Sequence, residues 1–239
     1  MDVFRSNAGA TDWSVRSSID NYASDLATGT VTQSFKLFCE QAATSIGLFP
    51  GAFKPPHKGH FETVKKAARE NSEVFVLISA IDRDGISASQ SASIWNLYKP
   101  YLPKNISYIT VTGSPVTMIY QTIDIVNNGQ FTPTARTRSP LPDALNVASI
   151  IQNNKLPVDI ILYASKEDAN RFNAFFDMEK SKIYRGKNVK SIKIGKVSRI
   201  ASATQARQAL REDNYEAFKT FLPEITKEDK QRIYSLLKP

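Results

Sequence analysis

Ten consecutive residues concentrate the groups that could do chemistry: Gly51-Ala52-Phe53-Lys54-Pro55-Pro56-His57-Lys58-Gly59-His60. Both histidines of the 239-residue chain lie here. An imidazole can donate to phosphate oxygens and stabilise the charge that builds on them in a transition state. Glycine at Gly51 and Gly59 lets the backbone approach a ligand closely, and a helix starting at this turn would offer N–H groups to an anion. Phe53, Lys54 and Lys58 belong to the same candidate nucleotide-binding turn, the lysines as phosphate contacts. Histidines at this spacing can also simply cap a helix. The wider pattern G-x-F-x-P-x-H-x-G-H, at a junction from strand to helix, favours catalysis over capping alone.

A second segment, Ala201-Ser202-Ala203-Thr204-Gln205-Ala206-Arg207, has the same physical character. Ser202 is a candidate N-cap, and Gln205 three residues on would complete a capping box, exposing the positive end of a helix dipole. Thr204 and Arg207 then lie in the first turn, where a hydroxyl and a guanidinium can meet phosphates. The two segments are far apart in sequence, so a shared site requires the fold to bring them together.

The elements that would do this alternate. Apolar runs at Ile46 to Phe49, Val74 to Ile81, Ile106 to Val111, Val158 to Ala164 and Ile192 to Val197 read as five strands. Helical spacing separates them, at His60 to Glu70, around Ile94 to Tyr98, at Val116 to Val126 and at Asp168 to Phe176. Helices near Thr204 to Leu210, Tyr215 to Phe221 and Lys227 to Leu237 close the chain. Such alternation predicts an α/β fold: a Rossmann-like open parallel five-stranded sheet with flanking helices. The run VFVLISAI suits a strand buried on both faces. In such a sheet ligands bind outside the carboxyl ends of the strands, where the histidine turn falls.

With these motifs in place, the sequence resembles the HxGH nucleotidyltransferase superfamily, which includes cytidylyltransferases and nicotinamide-nucleotide adenylyltransferases. Ala201 to Arg207 is similar to that family's second motif, I-S-S/A-T-x-x-R, with Ala201 in place of isoleucine. The resemblance covers roughly residues 46 to 237. It implies transfer of AMP or CMP from a nucleoside triphosphate to a small phosphorylated acceptor, with release of pyrophosphate and with Mg2+ carried by the triphosphate. It also implies that His57 and His60 attend the α-phosphate, while Thr204 and Arg207 hold the leaving pyrophosphate. The catalytic set is then His57, His60 and Arg207, with Gly51, Phe53, Lys54, Lys58, Gly59, Ser202 and Thr204 binding nucleotide and no residue binding metal. Phe221-Leu222-Pro223 and the last helix look like adenylyltransferase tails, which favours adenine. Ala164-Ser165-Lys166-Glu167-Asp168 departs from the family's glycine and aspartate, so the acceptor is not identified. GAFKPPHKGH, IWNLY and EDANRF together resemble nucleotidyltransferases of tailed bacteriophages.

Composition sets outer bounds. With 41% hydrophobic residues and one cysteine, Cys39, the chain reads as one globular domain (residues 45–239) in a reducing cytoplasm, preceded by an N-terminal extension over residues 1–44. No run approaches the roughly 18 apolar residues needed to span a bilayer, which argues against a membrane partner. The net charge of +8 suits anionic partners. Much of it lies in the acid-free stretch Lys180 to Arg199, which includes Lys187, Lys190, Lys193 and Lys196 and reads as a solvated edge or as a nucleic-acid patch. Residues 127–142, with Arg136 and Arg138, read as a surface loop or as a lid over phosphates. Two other readings stay open: a class I aminoacyl-tRNA synthetase, and a non-catalytic assembly or nucleic-acid-binding module on the same fold. A homo-oligomer is compatible with all of them.

Overall fold

The computed structural model describes residues 44–130, 139, 141–153, 157–177, 188–198 and 200–238. Residues 1–43 of the N-terminal extension, with Cys39, Arg136 and Arg138 of the 127–142 loop, and Lys180 to Lys187 and Arg199 of the basic stretch lie outside the described residues.

Five parallel strands form one sheet in the order β3-β2-β1-β4-β5. They are β1 (Ser45–Gly51), β2 (Glu73–Ser79), β3 (Ile106–Val111), β4 (Val158–Tyr163) and β5 (Val189–Gly195). Leu48 of the central strand sits between Phe75 of β2 and Leu162 of β4. The chain builds outward from β1 through β2 to β3, then returns to the other side of β1 for β4 and β5. The order therefore reverses between β1 and β4, which opens a crevice at their carboxyl ends.

Side chains alternate across the sheet and split the core in two. Val74, Val76 and Ile78 face a cluster built on α1 (Lys58–Glu70), α2 (Ala88–Tyr98) and three closing helices: α6 (Ala203–Arg211), α7 (Tyr215–Lys219) and α8 (Lys227–Leu237). Phe75 and Leu77 face the other cluster, with α3 (Pro115–Asn128), α4 (Pro142–Asn153) and α5 (Lys166–Ala169), the last continued by a 3-10 turn over Asn170–Phe175. Strands so enclosed read as uninterrupted apolar runs. Both helices that carry candidate motifs, α1 and α6, lie on the first face.

Two elements differ from the sequence reading. The VFVLISAI run does not stay in the sheet to Ile81. β2 ends at Ser79, and Ile81 is 72% exposed. Beyond it the chain makes a tight turn closed by an antiparallel bridge between Arg83 and Ile86, with Asp84 and Gly85 at φ of 51° and 77°. Asp-Gly is favoured at these left-handed positions. The second difference is α4, which the sequence reading passed over. It buries Ala144, Val147, Ala148 and Ile151, the i, i+3, i+4, i+7 stripe of an amphipathic helix. Turn-forming residues run directly up to its start and obscure that stripe in the sequence.

Candidate active site

Where β1 meets α1, the backbone must reverse and start a helix within six residues, and the histidines make this possible. His57 is the N-cap of α1, and its Nδ1 accepts from the Gly59 N–H at 3.1 Å. His60 Nδ1 accepts in return from the His57 N–H at 3.3 Å, so the two form a capping box out of imidazoles. Their rings stack at 3.6 Å with an 18° interplanar angle. Capping and chemistry are compatible. A neutral imidazole whose Nδ1 accepts carries its proton on Nε2, so each ring retains one donor. Burial holds both rings neutral, drawing His57 down to about 4 and His60 well below its ordinary value.

The backbone N–H groups expected to greet a phosphate here are engaged. Lys58 N–H donates to the Phe221 carbonyl at 2.8 Å, and Gly59 N–H is taken by His57. The FLP segment thus ties the C-terminal helices to this turn. The donors that α1 can still offer are side-chain ones.

The two glycines answer to the protein's own packing. A Cβ on Gly51 would come within 2.6 Å of the Phe53 ring, and one on Gly59 within 2.9 Å of the Ser198 carbonyl. Phe53 itself has a φ of 53°, a strained conformation for a bulky residue. Edge-to-face contacts with Phe49 (5.1 Å), His60 (5.0 Å) and Trp95 (5.5 Å) hold it there. The Ser91 hydroxyl fixes its carbonyl at 2.7 Å.

Lys54 differs from the sequence expectation of a lysine reaching into a phosphate site. It is 1% exposed, and its Nζ donates to the Ser79 carbonyl and the Ser91 hydroxyl, each at 3.2 Å. Burial lowers its pKa against the opposing pull of Asp82. Its ammonium braces the turn from beneath, whereas Lys58 is half-buried.

The second motif comes to the same place. Arg207, on α6 and 7% exposed, donates from Nη1 to the Lys54 carbonyl at 2.8 Å and from Nη2 to the Thr204 hydroxyl at 3.3 Å. Thr63 of α1 adds another tie, accepting from Ser198 N–H at 2.9 Å while donating to the Gly59 carbonyl at 2.7 Å. The starts of α1 and α6 are thereby joined side by side. Ser202 caps α6 through the Gln205 N–H at 3.4 Å, but the expected reciprocal bond is missing and Gln205 is exposed. Thr204 is exposed beside it.

A cavity of about 410 Å³ opens at the carboxyl ends of β1, β2 and β4. Gly51, Phe53 and His60 line one part of it, Ala203 another, and Ser165, Asp168 and Arg171 a third. The segment that departs from the family pattern therefore faces the same space as His60. Ser165 caps α5 by accepting from the Asp168 N–H at 3.2 Å, and Asp168 pairs with Arg171 at 3.6 Å. His57, Lys54, Lys58, Gly59, Ser202, Thr204 and Arg207 are not among the lining residues. Among the described residues, no group of three or more His, Cys, Asp or Glu could hold a metal ion, and no helix is long and apolar enough to cross a membrane.

Sequence reasoning missed Asp84, whose carboxylate Oδ2 approaches Arg207 Nε at 2.7 Å, an ion pair outside hydrogen-bond geometry. The Asp84-Gly85 pair is a strong turn signal that would have located the turn. Nothing in the sequence gives its partner. Arg83 and Arg171, which line the cavity, were missed as well.

No protein-family model matches the sequence, and no curated protein does. Solved structures do. The nicotinic acid mononucleotide adenylyltransferase of Plasmodium falciparum, complexed with APC, is 13% identical over 81% of this chain and 98% of its own, with a TM-score of 0.47. A bifunctional NMN adenylyltransferase/ADP ribose pyrophosphatase from Francisella tularensis, complexed with AMP and a manganese ion, is 14% identical over 81% of this chain, also at 0.47. This chain spans about half of that protein's length, 52%. Neither is a bacteriophage protein. The five-stranded parallel sheet flanked by helices stands on this chain's own topology.

Proposed function

We propose that the chain is a nucleotidyltransferase that transfers AMP or CMP from a nucleoside triphosphate to a small phosphorylated acceptor and releases pyrophosphate. One observation carries the reading. The Arg207 guanidinium of α6 donates to the Lys54 carbonyl in the same turn whose histidines, 147 or more positions away in sequence, form the capping box of α1. Neutral donors thus stand next to a fixed cation at the carboxyl edge of a parallel sheet.

In this reading an acceptor phosphate oxygen attacks the α-phosphorus, the bond to the bridging oxygen breaks, and pyrophosphate departs with that oxygen. The enzyme forms no covalent bond; it positions and stabilises charge. His57 and His60 donate from Nε2 to α-phosphate oxygens, and Arg207 with Thr204 holds the β- and γ-phosphates. Because the rings are neutral, they contribute hydrogen bonds and give up no proton. The cavity that His60 shares with Ser165 and Arg171 takes the acceptor. Mg2+ would come with the triphosphate as its counter-ion, held mainly by phosphate oxygens and water.

The test is pyrophosphate release from ATP and CTP in the presence of a panel of phosphomonoesters, nicotinic acid mononucleotide and nicotinamide mononucleotide among them. Release that depends on both an acceptor and His60 supports the proposal. An inactive chain that instead binds nucleic acid with steep salt dependence would favour the non-catalytic module.

A further inference from the structure

Arg207 is the cation to which the reading above assigns the leaving phosphates, and it already holds an anion. Two of its three contacts are neutral, to the Lys54 carbonyl and the Thr204 hydroxyl. The third and shortest is the Asp84 carboxylate at 2.7 Å. Asp84 belongs neither to α6 nor to the histidine turn. It projects from the tight turn after β2, which is closed on itself by the Arg83 N–H to Ile86 carbonyl bond (3.1 Å) and its reciprocal (3.0 Å). The neighbouring Arg83 lines the cavity.

The two partners sit in different environments. The Arg207 side chain is 9% exposed, whereas that of Asp84 is 44% exposed. Asp84's other charged neighbour is Arg83, at 3.9 Å. The guanidinium is thus fixed by the fold, while the carboxylate reaches it from an exposed turn. A phosphate approaching the same guanidinium would meet a like charge where its own oxygens must bind.

We propose that Asp84 is a built-in competitor for Arg207: its carboxylate occupies the guanidinium's anion-binding face, and the Arg83–Ile86 turn must release it before nucleotide phosphates can bind. The inference rests on the reading of Arg207 as a phosphate ligand. It makes Asp84 a determinant of nucleotide affinity that acts by opposing it. The alternative role, an acid that orients Arg207 for its ligand, predicts the opposite sign.

The experiment is calorimetric titration of the full chain with inorganic tripolyphosphate. Asp84→Asn removes the charge and keeps the turn, since asparagine accepts a left-handed backbone as readily as aspartate. Asp82→Asn removes a nearby charge that does not touch Arg207. Competition for a partly exposed ion pair predicts about two- to fivefold tighter binding in Asp84→Asn, with Asp82→Asn close to wild type. Equal or weaker binding by Asp84→Asn overturns the proposal. So does an equal gain in Asp82→Asn, which would trace the effect to net charge, or an absence of measurable binding to both wild type and Asp84→Asn. Arg207→Ala separates the two levels. If it loses binding while Asp84→Asn gains nothing, the phosphate site stands and the competitor does not; if it binds like wild type, the phosphate reading itself fails and the inference with it.

Discussion

The starts of α1 and α6 are neighbours with opposite characters. At α1 the cap is two stacked imidazoles closed on each other, His57 buried and His60 half-buried, with the first backbone N–H groups engaged by His57 and Phe221. At α6 a single serine caps one N–H, Thr204 and Gln205 are exposed, and the only buried polar side chain is Arg207. One start presents neutral donors on a rigid base, the other a cation near an open helix end. An enzyme that must stabilise charge at one phosphorus and hold the charge of a departing group needs both kinds of surface. The contrast also separates two jobs that conserve the same atoms, capping and catalysis, and it can be tested by substitutions that keep one and remove the other.

The largest expected effect comes from His57→Ser. Serine is a good N-cap, so α1 should persist while the Nε2 donor disappears. Turnover, read as pyrophosphate release, should fall about 10²- to 10³-fold, or about 3 to 4 kcal/mol, with little change in nucleotide affinity. Retained turnover would reduce the histidine to a cap and erase the contrast.

Next is pH. The His57 ring titrates near 4 in the fold and near 6.5 in the unfolded chain, so the unfolded state binds more protons between those values. Stability from this group is fully present above about pH 6.5 and is lost as pH falls toward 4, on the order of 3 kcal/mol in all. Thermal melts of wild type and His57→Ser from pH 7 to 4.5 should show a shallower decline in the variant. Parallel declines would assign the acid sensitivity elsewhere.

Arg207→Ala should act in the ground state, unlike the histidine change. Loss of charge-assisted contacts worth about 1.5 to 3 kcal/mol predicts roughly ten- to a hundredfold weaker triphosphate binding, with turnover falling alongside. A fall in turnover with unchanged affinity would make α6 resemble α1 and remove the division of labour.

The smallest change is Ser202→Ala. It should cost about 1 kcal/mol of stability, measured by urea unfolding, because only one half of the anticipated capping box is formed. A loss as large as that from disrupting both histidines together would mean that α6 depends on its cap as α1 does.

Much of this was legible in the residues. Apolar runs separated by helical spacing specified five parallel strands; the run of β2 is continuous because that strand is covered on both faces, whereas the edge strands β3 and β5 interleave polar residues and are partly exposed. The G-x-F-x-P-x-H-x-G-H and A-S-A-T-x-x-R segments announced two polar helix starts, since glycine, histidine and serine at those spacings have few structural reasons to coincide. The stripe Ala144, Val147, Ala148, Ile151 was equally present, and α4 could have been read from it.

What the chain alone determined, then, was local: which stretches are strands, which are helix starts, and which side chains at those starts can donate. The tertiary structure decided the rest. Lys54 faces inward because the strained Phe53 turns the backbone so that its ammonium meets Ser79 and Ser91. Gly59 is held to glycine by the Ser198 carbonyl, which arrives from elsewhere in the fold. Asp84 meets Arg207 across 123 positions of sequence. Each of these is a contact between residues whose separation no local periodicity encodes, and the spacing between them exists only once the sheet has brought its carboxyl ends to a common edge.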